Sequence, residues 1–157
     1  MHTRSAIISV FQRGAFLAIL LCGTCRIQAQ CRPDSHNLKK AKIHYEKALN
    51  AYQYGDIAQA WKFLEIAQKT ESCFAELHML KATIYEAEKK PDSAIASYRR
   101  SLAIDPDFFP NAYYFLACLE SSTGLYEEAE IHFNRFLSYP DIAEKIKDKA
   151  IMAQYRN

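Results

Sequence analysis

A chain of 157 residues, half of them apolar, is long enough for one packed domain and too apolar to stay disordered over most of its length. Its 20 basic and 18 acidic groups give a formal net charge of +2, and the basic groups form no clustered stripe, which excludes the electrostatic footprint of a nucleic-acid binder. The basic excess belongs to the first 29 residues: without Arg4, Arg13 and Arg26 the remainder carries 17 basic against 18 acidic groups.

Those first residues read as a secretory signal peptide over 1–29. Arg4 and Arg13 make a positive start, Ala15 to Gly23 is a short apolar core, and Ala29 is a small residue at a cleavage point. About 11 apolar residues fall short of the roughly 20 needed to span a bilayer, so no transmembrane span is expected after cleavage. Cys22, Cys25 and Cys31 invite a lipoprotein reading, but Leu21, Thr24 and Gln30 precede them where a small residue is normal. Residues 30–37 form a lead-in to the folded part.

From Leu38 to Gln53, apolar or small residues at Leu38, Ala41, Tyr45, Ala48, Leu49 and Tyr52 follow the 3.6-residue rhythm of an amphipathic helix. Gly55 stops it, and Asp56 can cap a second helix over Ile57 to Thr70, with Ala60, Trp61, Leu64 and Ala67 inward. A second pair begins near Ala75, with Leu77, Leu80, Ala82, Ile84 and Tyr85 inward. It breaks at Lys89 to Asp92, resumes with Pro91 in a first turn, and stops at Asp105-Pro106. A third pair starts near Pro110, with Tyr113, Leu116, Ala117, Ala129, Phe133 and Leu137 inward, Gly124 in the turn and Pro140 at the end. The tail, 141–157, is helix-forming again. Ile142, Ile146, Ala150 and Ala153 share one face, as a helix capping the last apolar surface requires.

Ala60, Ala94 and Ala129 fall at one place in the three copies, 34 and 35 residues apart, a period associated with helix-turn-helix repeat arrays. With Gly55-Asp56, Ala67, Ala82, Tyr98, Asp105-Pro106, Ala117, Gly124 and Phe133, the pattern resembles the tetratricopeptide repeat. The resemblance implies an all-α fold: a short right-handed α-solenoid of three helix-turn-helix repeats, about 41–74, 75–108 and 110–140, plus a C-terminal capping helix. Lys47 and Glu120 depart from it, standing where a large apolar residue and an aromatic are usual.

The resemblance also implies a concave groove lined by the first helix of each pair. Its positions map to Lys42, Tyr45, Leu49, Tyr52, Glu76, Met79, Thr83, Glu86, Asn111, Tyr114, Cys118 and Ser121. Tyrosine offers a broad apolar face with one hydrogen-bonding end, a composition enriched at protein interfaces; the alternative for Tyr45, Tyr52 and Tyr114 is packing between helices. Tyr45, Leu49 and Tyr114 occupy places where some relatives carry Lys, Asn and Lys/Arg to grip a C-terminal carboxylate, so an apolar or mixed peptide, or a flat protein surface, is the expected partner. The whole pattern, with Gln28-Ala29-Gln30, the run Asp105 to Tyr114 and the closing Asp141 to Lys145, is similar to the N-terminal repeat segment of larger Gram-negative envelope proteins. Those continue into a β-propeller and an OmpA-like peptidoglycan-binding domain. This chain stops where the propeller would begin, so peptidoglycan binding is not carried over.

Cys31, Cys73 and Cys118 follow the cleavage point. Because paired helices run antiparallel, the end near Thr70 lies beside the start near Leu38, which puts Cys31 and Cys73 at the same end of the first repeat. A bridge between them suits an oxidising compartment. Cys31-x4-His36 and Cys73-x4-His78 could be drawn as a zinc site, but the spacing matches no common finger. Cys118, between Tyr114, Phe115 and Leu119, is expected to be a buried or half-buried thiol. No phosphate loop, His-Glu-x-x-His run or nucleophile elbow occurs, and His44 and His132 read as surface or packing residues. The expectation is an exported, non-enzymatic scaffold without cofactor or metal, binding a protein or peptide partner in the periplasm or at the outer membrane; the rival is a small exported metal carrier or enzyme.

Overall fold

The computed structural model describes residues 31–145. The signal peptide expected over 1–29 and the cap positions Ile146, Ala150 and Ala153 lie outside them. Six helices follow one another: α1 (Ser35–Gln53), α2 (Ile57–Thr70), α3 (Ala75–Ala87), α4 (Pro91–Ile104), α5 (Asn111–Ser122) and α6 (Tyr126–Leu137). A short helical stretch over 140–145 comes next. The helices pack as hairpins, α1 with α2, α3 with α4 and α5 with α6, and successive hairpins meet through α2 with α3, α4 with α5 and α1 with α3. This is a short α-solenoid.

The hairpin turns occupy three equivalent places. Gly55 and Gly124 have φ of +80° and +85°, and Lys89 sits between them in the series with φ of +57°. Glycine enters this left-handed region freely, whereas a side chain is strained there. α1 starts three residues before the predicted Leu38, because the Asp34 carboxylate accepts from the N–H groups of His36 and Asn37 at 3.0 and 2.9 Å. Asp56 caps α2 in the same way through Gln59.

Alanines hold the hairpins together. Ala41, Ala48, Ala60, Ala67, Ala82, Ala94 and Ala112 are all fully buried, where a larger side chain would force the helices apart. Around them Leu64, Phe74, Leu77, Ile84, Tyr98 and Leu116 are buried too; each aliphatic side chain contributes about 1.5–3 kcal/mol of burial free energy. The hydroxyl of Ser101 donates to the Ala75 carbonyl at 2.8 Å, a buried bond from α4 to the start of α3.

Two polar clusters reinforce the stack. Cys31 and Cys73 are bonded, with Cα atoms 5.4 Å apart. The buried Glu71 braces that corner, one carboxylate oxygen accepting from the Asp34 N–H and the other from the Cys73 N–H, both at 2.8 Å. Glu120, where an aromatic was expected, is fully buried: it accepts from Arg99 Nη2 at 2.6 Å and Nε at 3.0 Å, and pairs with His132 Nδ1 at 2.6 Å. His132 thus partners a buried carboxylate and is not an ordinary surface or packing residue. Lys47, the other departure, lies over the Phe63 ring, 5.8 Å from its centre.

Candidate partner-binding groove

The twelve sequence-derived groove positions lie on α1, α3 and α5. Lys42, Asn111, Tyr114, Cys118 and Ser121 are exposed, and Tyr45, Leu49, Tyr52, Glu76, Met79, Thr83 and Glu86 are half-buried. Tyr45 packs its ring edge-on against Phe74, 5.2 Å between centres, so it fills the joint between the first two hairpins while keeping one side open. Burial, then the neighbouring Glu76 carboxylate, pushes its phenol above the ordinary range.

The middle of the row is organised by a residue the sequence reading named only as a position of the repeat pattern. The Tyr98 hydroxyl, on α4, donates to Glu86 Oε2 at 2.8 Å. Burial first, and the bond to Glu86 second, hold this phenol well above its usual value, so it remains a neutral donor and orients the carboxylate. Thr83, one turn from Glu86, turns its own hydroxyl to the Met79 carbonyl at 3.2 Å. The signal for Tyr98 was its equivalence to Leu64 in the first repeat, a core position carrying a polar end.

At the third hairpin Tyr113, Leu116, Ala117 and Ala129 are buried as expected, but two residues are not. Cys118 is an exposed free thiol, not a buried one, and Phe133, predicted inward, is 40% exposed. Both line a cavity of about 490 Å³ with Ala117, Ser121, Tyr126 and Glu130. The physical reason is positional: the equivalents of Phe133, Leu64 and Tyr98, are only 1% and 2% exposed because another hairpin follows theirs. Contact with Cys118 also raises the Tyr114 phenol above its ordinary value.

The zinc alternative meets a direct obstacle, since Cys31 and Cys73 are bonded to each other. His78 is turned instead to the Ser72 carbonyl at 3.0 Å. Burial lowers its basicity most, and Lys81 and Arg100 lower it further. Because a carbonyl oxygen only accepts, the His78 ring nitrogen is the donor in that bond. Among the described residues no helix is long and apolar enough to cross a membrane.

Helix hairpins of this length, stacked through alanines and with left-handed turns at one recurring place, have the fold of a short tetratricopeptide-repeat solenoid. Residues 75–108 and 110–140 match the family model of that repeat; the first hairpin, outside the match, has the same Gly55 and Ala60 positions. Three solved structures have the same fold. The N-terminal domain of stress-induced protein-1 (STI-1) from C. elegans superposes with a TM-score of 0.61 at 17% identity, covering 73% of this chain and 98% of that one. The second repeat domain of Spaghetti (RPAP3), bound to the HSP90 peptide SRMEEVD, gives 0.59 at 18% identity, covering 71% and 97%. The Yersinia enterocolitica type III secretion translocator chaperone SycD gives 0.56 at 20% identity, covering 74% and 90%. No curated protein matches the sequence.

Proposed function

We propose that this protein is an exported scaffold that binds a protein or peptide partner along the row formed by α1, α3 and α5, in the periplasm or at the periplasmic face of the outer membrane, within a cell-envelope assembly. The observation that carries the reading is the row itself. Three equivalent helices present Tyr45, Met79 and Tyr114 at one phase and Leu49, Thr83 and Cys118 at the next, none of them fully buried. A ladder of partly open, mixed apolar and hydrogen-bonding positions on a rigid frame suits a partner segment, because little ordering of the receptor opposes binding. The neighbours support it by analogy: one holds an HSP90 peptide and another is a translocator chaperone.

The partner differs from a carboxylate-terminated tail. Tyr45, Leu49 and Tyr114 supply no cationic grip, and Glu76 and Glu86 make the middle of the row acidic. A mixed apolar segment or a flat surface with basic groups fits. Export is supported by the signal-like first 29 residues and by the Cys31–Cys73 bond, which suits an oxidising compartment. The likeness of the sequence to envelope proteins with β-propeller and OmpA-like domains points the same way.

The test is crosslinking in intact cells followed by mass spectrometry, comparing the natural chain with a Tyr52→Ala, Glu76→Lys double variant. Both side chains are half-buried in the row, and neither donates or accepts a hydrogen bond that ties the hairpins together. Loss of a specific crosslinked species, with an unchanged unfolding midpoint, supports the groove; an unaltered set of crosslinks removes it. N-terminal sequencing of the protein from the envelope fraction checks the cleavage after Ala29.

A further inference from the structure

The two ends of the array are bare at the positions its interior covers. Ile43 on α1 is 55% exposed, whereas its equivalents one and two repeats on, Leu77 and Ala112, are fully buried against the preceding hairpin. At the other end Phe133 is 40% exposed, whereas Leu64 and Tyr98 are buried by the following hairpin. Among the described residues no hairpin precedes the first end and none follows the last. Cys31, the first described residue, is bonded to Cys73 and accepts from Arg100 Nη2 at 3.3 Å, which holds it beside α4.

The charges complement one another in the same register. Inside the array Lys81 reaches back to the preceding hairpin, its Nζ 5.9 Å from the Trp61 ring and 2.8 Å from Gln68 Oε1. The equivalent of Lys81 in the first repeat is Lys47, and the equivalent of Trp61 in the third is Glu130, which lines the open cavity beside Phe133. Continuing the repeat geometry past the last hairpin therefore sets a lysine against a glutamate. More broadly, α1 begins with Lys39, Lys40 and Lys42, and α6 begins with Glu127 and Glu128.

We propose that the chain stacks head to tail on a second copy of itself, the Ile43 end of one molecule seating on the Phe133 end of another, with Lys47 meeting Glu130. Ile43 then occupies the place that Leu77 occupies within the chain, and the cavity around Cys118 is filled. A second copy accounts for both exposed ends at once, because each end supplies what the other lacks. Such a heterologous contact does not close a dimer; it propagates into a ring or an open stack. Of the row positions it covers only Cys118 and Ser121, and Tyr52 and Glu76 lie outside the proposed contact, so the two proposals are tested by different variants.

Sedimentation of the purified full chain across a dilution series is the experiment. The expected result is a mass that grows with concentration and falls with added salt as the end charges are screened. Phe133→Asp and Ile43→Asp each abolish self-association, weakening it on the order of a hundredfold or more. An equimolar mixture of the two variants restores a dimer and nothing larger, because each retains the end the other lacks. Should either variant unfold, Lys47→Glu and Glu130→Lys, both at exposed sites, give the same readout: each alone weakens stacking and the mixture recovers it. A natural chain that stays monomeric at every concentration overturns the proposal. So does a mixture that stays monomeric while stacking persists in the natural chain.

Discussion

Arg99 on α4 and Glu120 on α5 meet across the second and third repeats, the guanidinium donating to one carboxylate oxygen at 2.6 and 3.0 Å while His132 occupies the other. Glu120 has no exposed side-chain surface, so its charge is tolerated only because both oxygens are engaged. Arg99→Ala leaves the carboxylate half-satisfied and is expected to cost about 2–3 kcal/mol, below the usual range for a wholly buried pair because Arg99 is itself partly exposed. Urea unfolding checks it. Glu120→Gln, which keeps an acceptor in place, is expected to cost less; equal loss in the two variants would show that packing rather than charge matters there.

Reducing the Cys31–Cys73 bond, or replacing both residues by serine, is expected to lower stability by roughly 4 kcal/mol on the chain-entropy estimate for a loop of this length. The first hairpin should feel it most, since the bond and Glu71 together tie the start of α1 to the end of α2. Hydrogen exchange read peptide by peptide distinguishes this from a uniform loss, which would mean that the hairpins unfold as one unit.

Stability is expected to decline in mild acid through His78. Its folded-state basicity is lowered from the ordinary value of 6.5, by burial first. Below pH 6.5 the unfolded chain therefore takes up a proton that the folded chain resists, and stability falls with pH until the folded ring titrates in turn. Unfolding midpoints for the natural chain and His78→Asn, compared at pH 7 and pH 5, provide the check. The natural chain should lose more across that interval, and parallel losses would assign the acid sensitivity to other groups.

Lys89 occupies the turn position that glycine holds in the other two repeats, at a φ of +57°. Lys89→Gly is expected to stabilise by about 0.5–1 kcal/mol through relief of backbone strain, and Gly124→Ala to destabilise by about 1 kcal/mol or slightly more. Nothing lies within 4 Å of a methyl group added at Gly124, so its cost is conformational and not steric. Thermal unfolding of the two variants should move in opposite directions.

Much of the fold was legible because its determinants are local. The helices over Ile57–Thr70, Ala75–Ala87 and Pro91–Ile104 follow from apolar periodicity, a glycine or proline, and a stop signal, all within a turn or two of the residues concerned. The start of α1 was missed because Ser35, His36 and Asn37 carry no apolar rhythm; an aspartate cap extends that helix instead. The role of Tyr98 in orienting Glu86 was missed because the two are on different helices and meet only once the hairpin closes.

By itself the sequence determined the repeat, its period and its hairpins, since an amphipathic helix and a left-handed turn are encoded in neighbouring residues. Only the tertiary structure decided which of three equivalent positions is buried: Leu64 and Tyr98 are covered and Phe133 is not, Leu77 is covered and Ile43 is not. The physical reason is that burial is conferred by the adjoining hairpin. An identical position in the local pattern has a different environment at the end of a stack than within it.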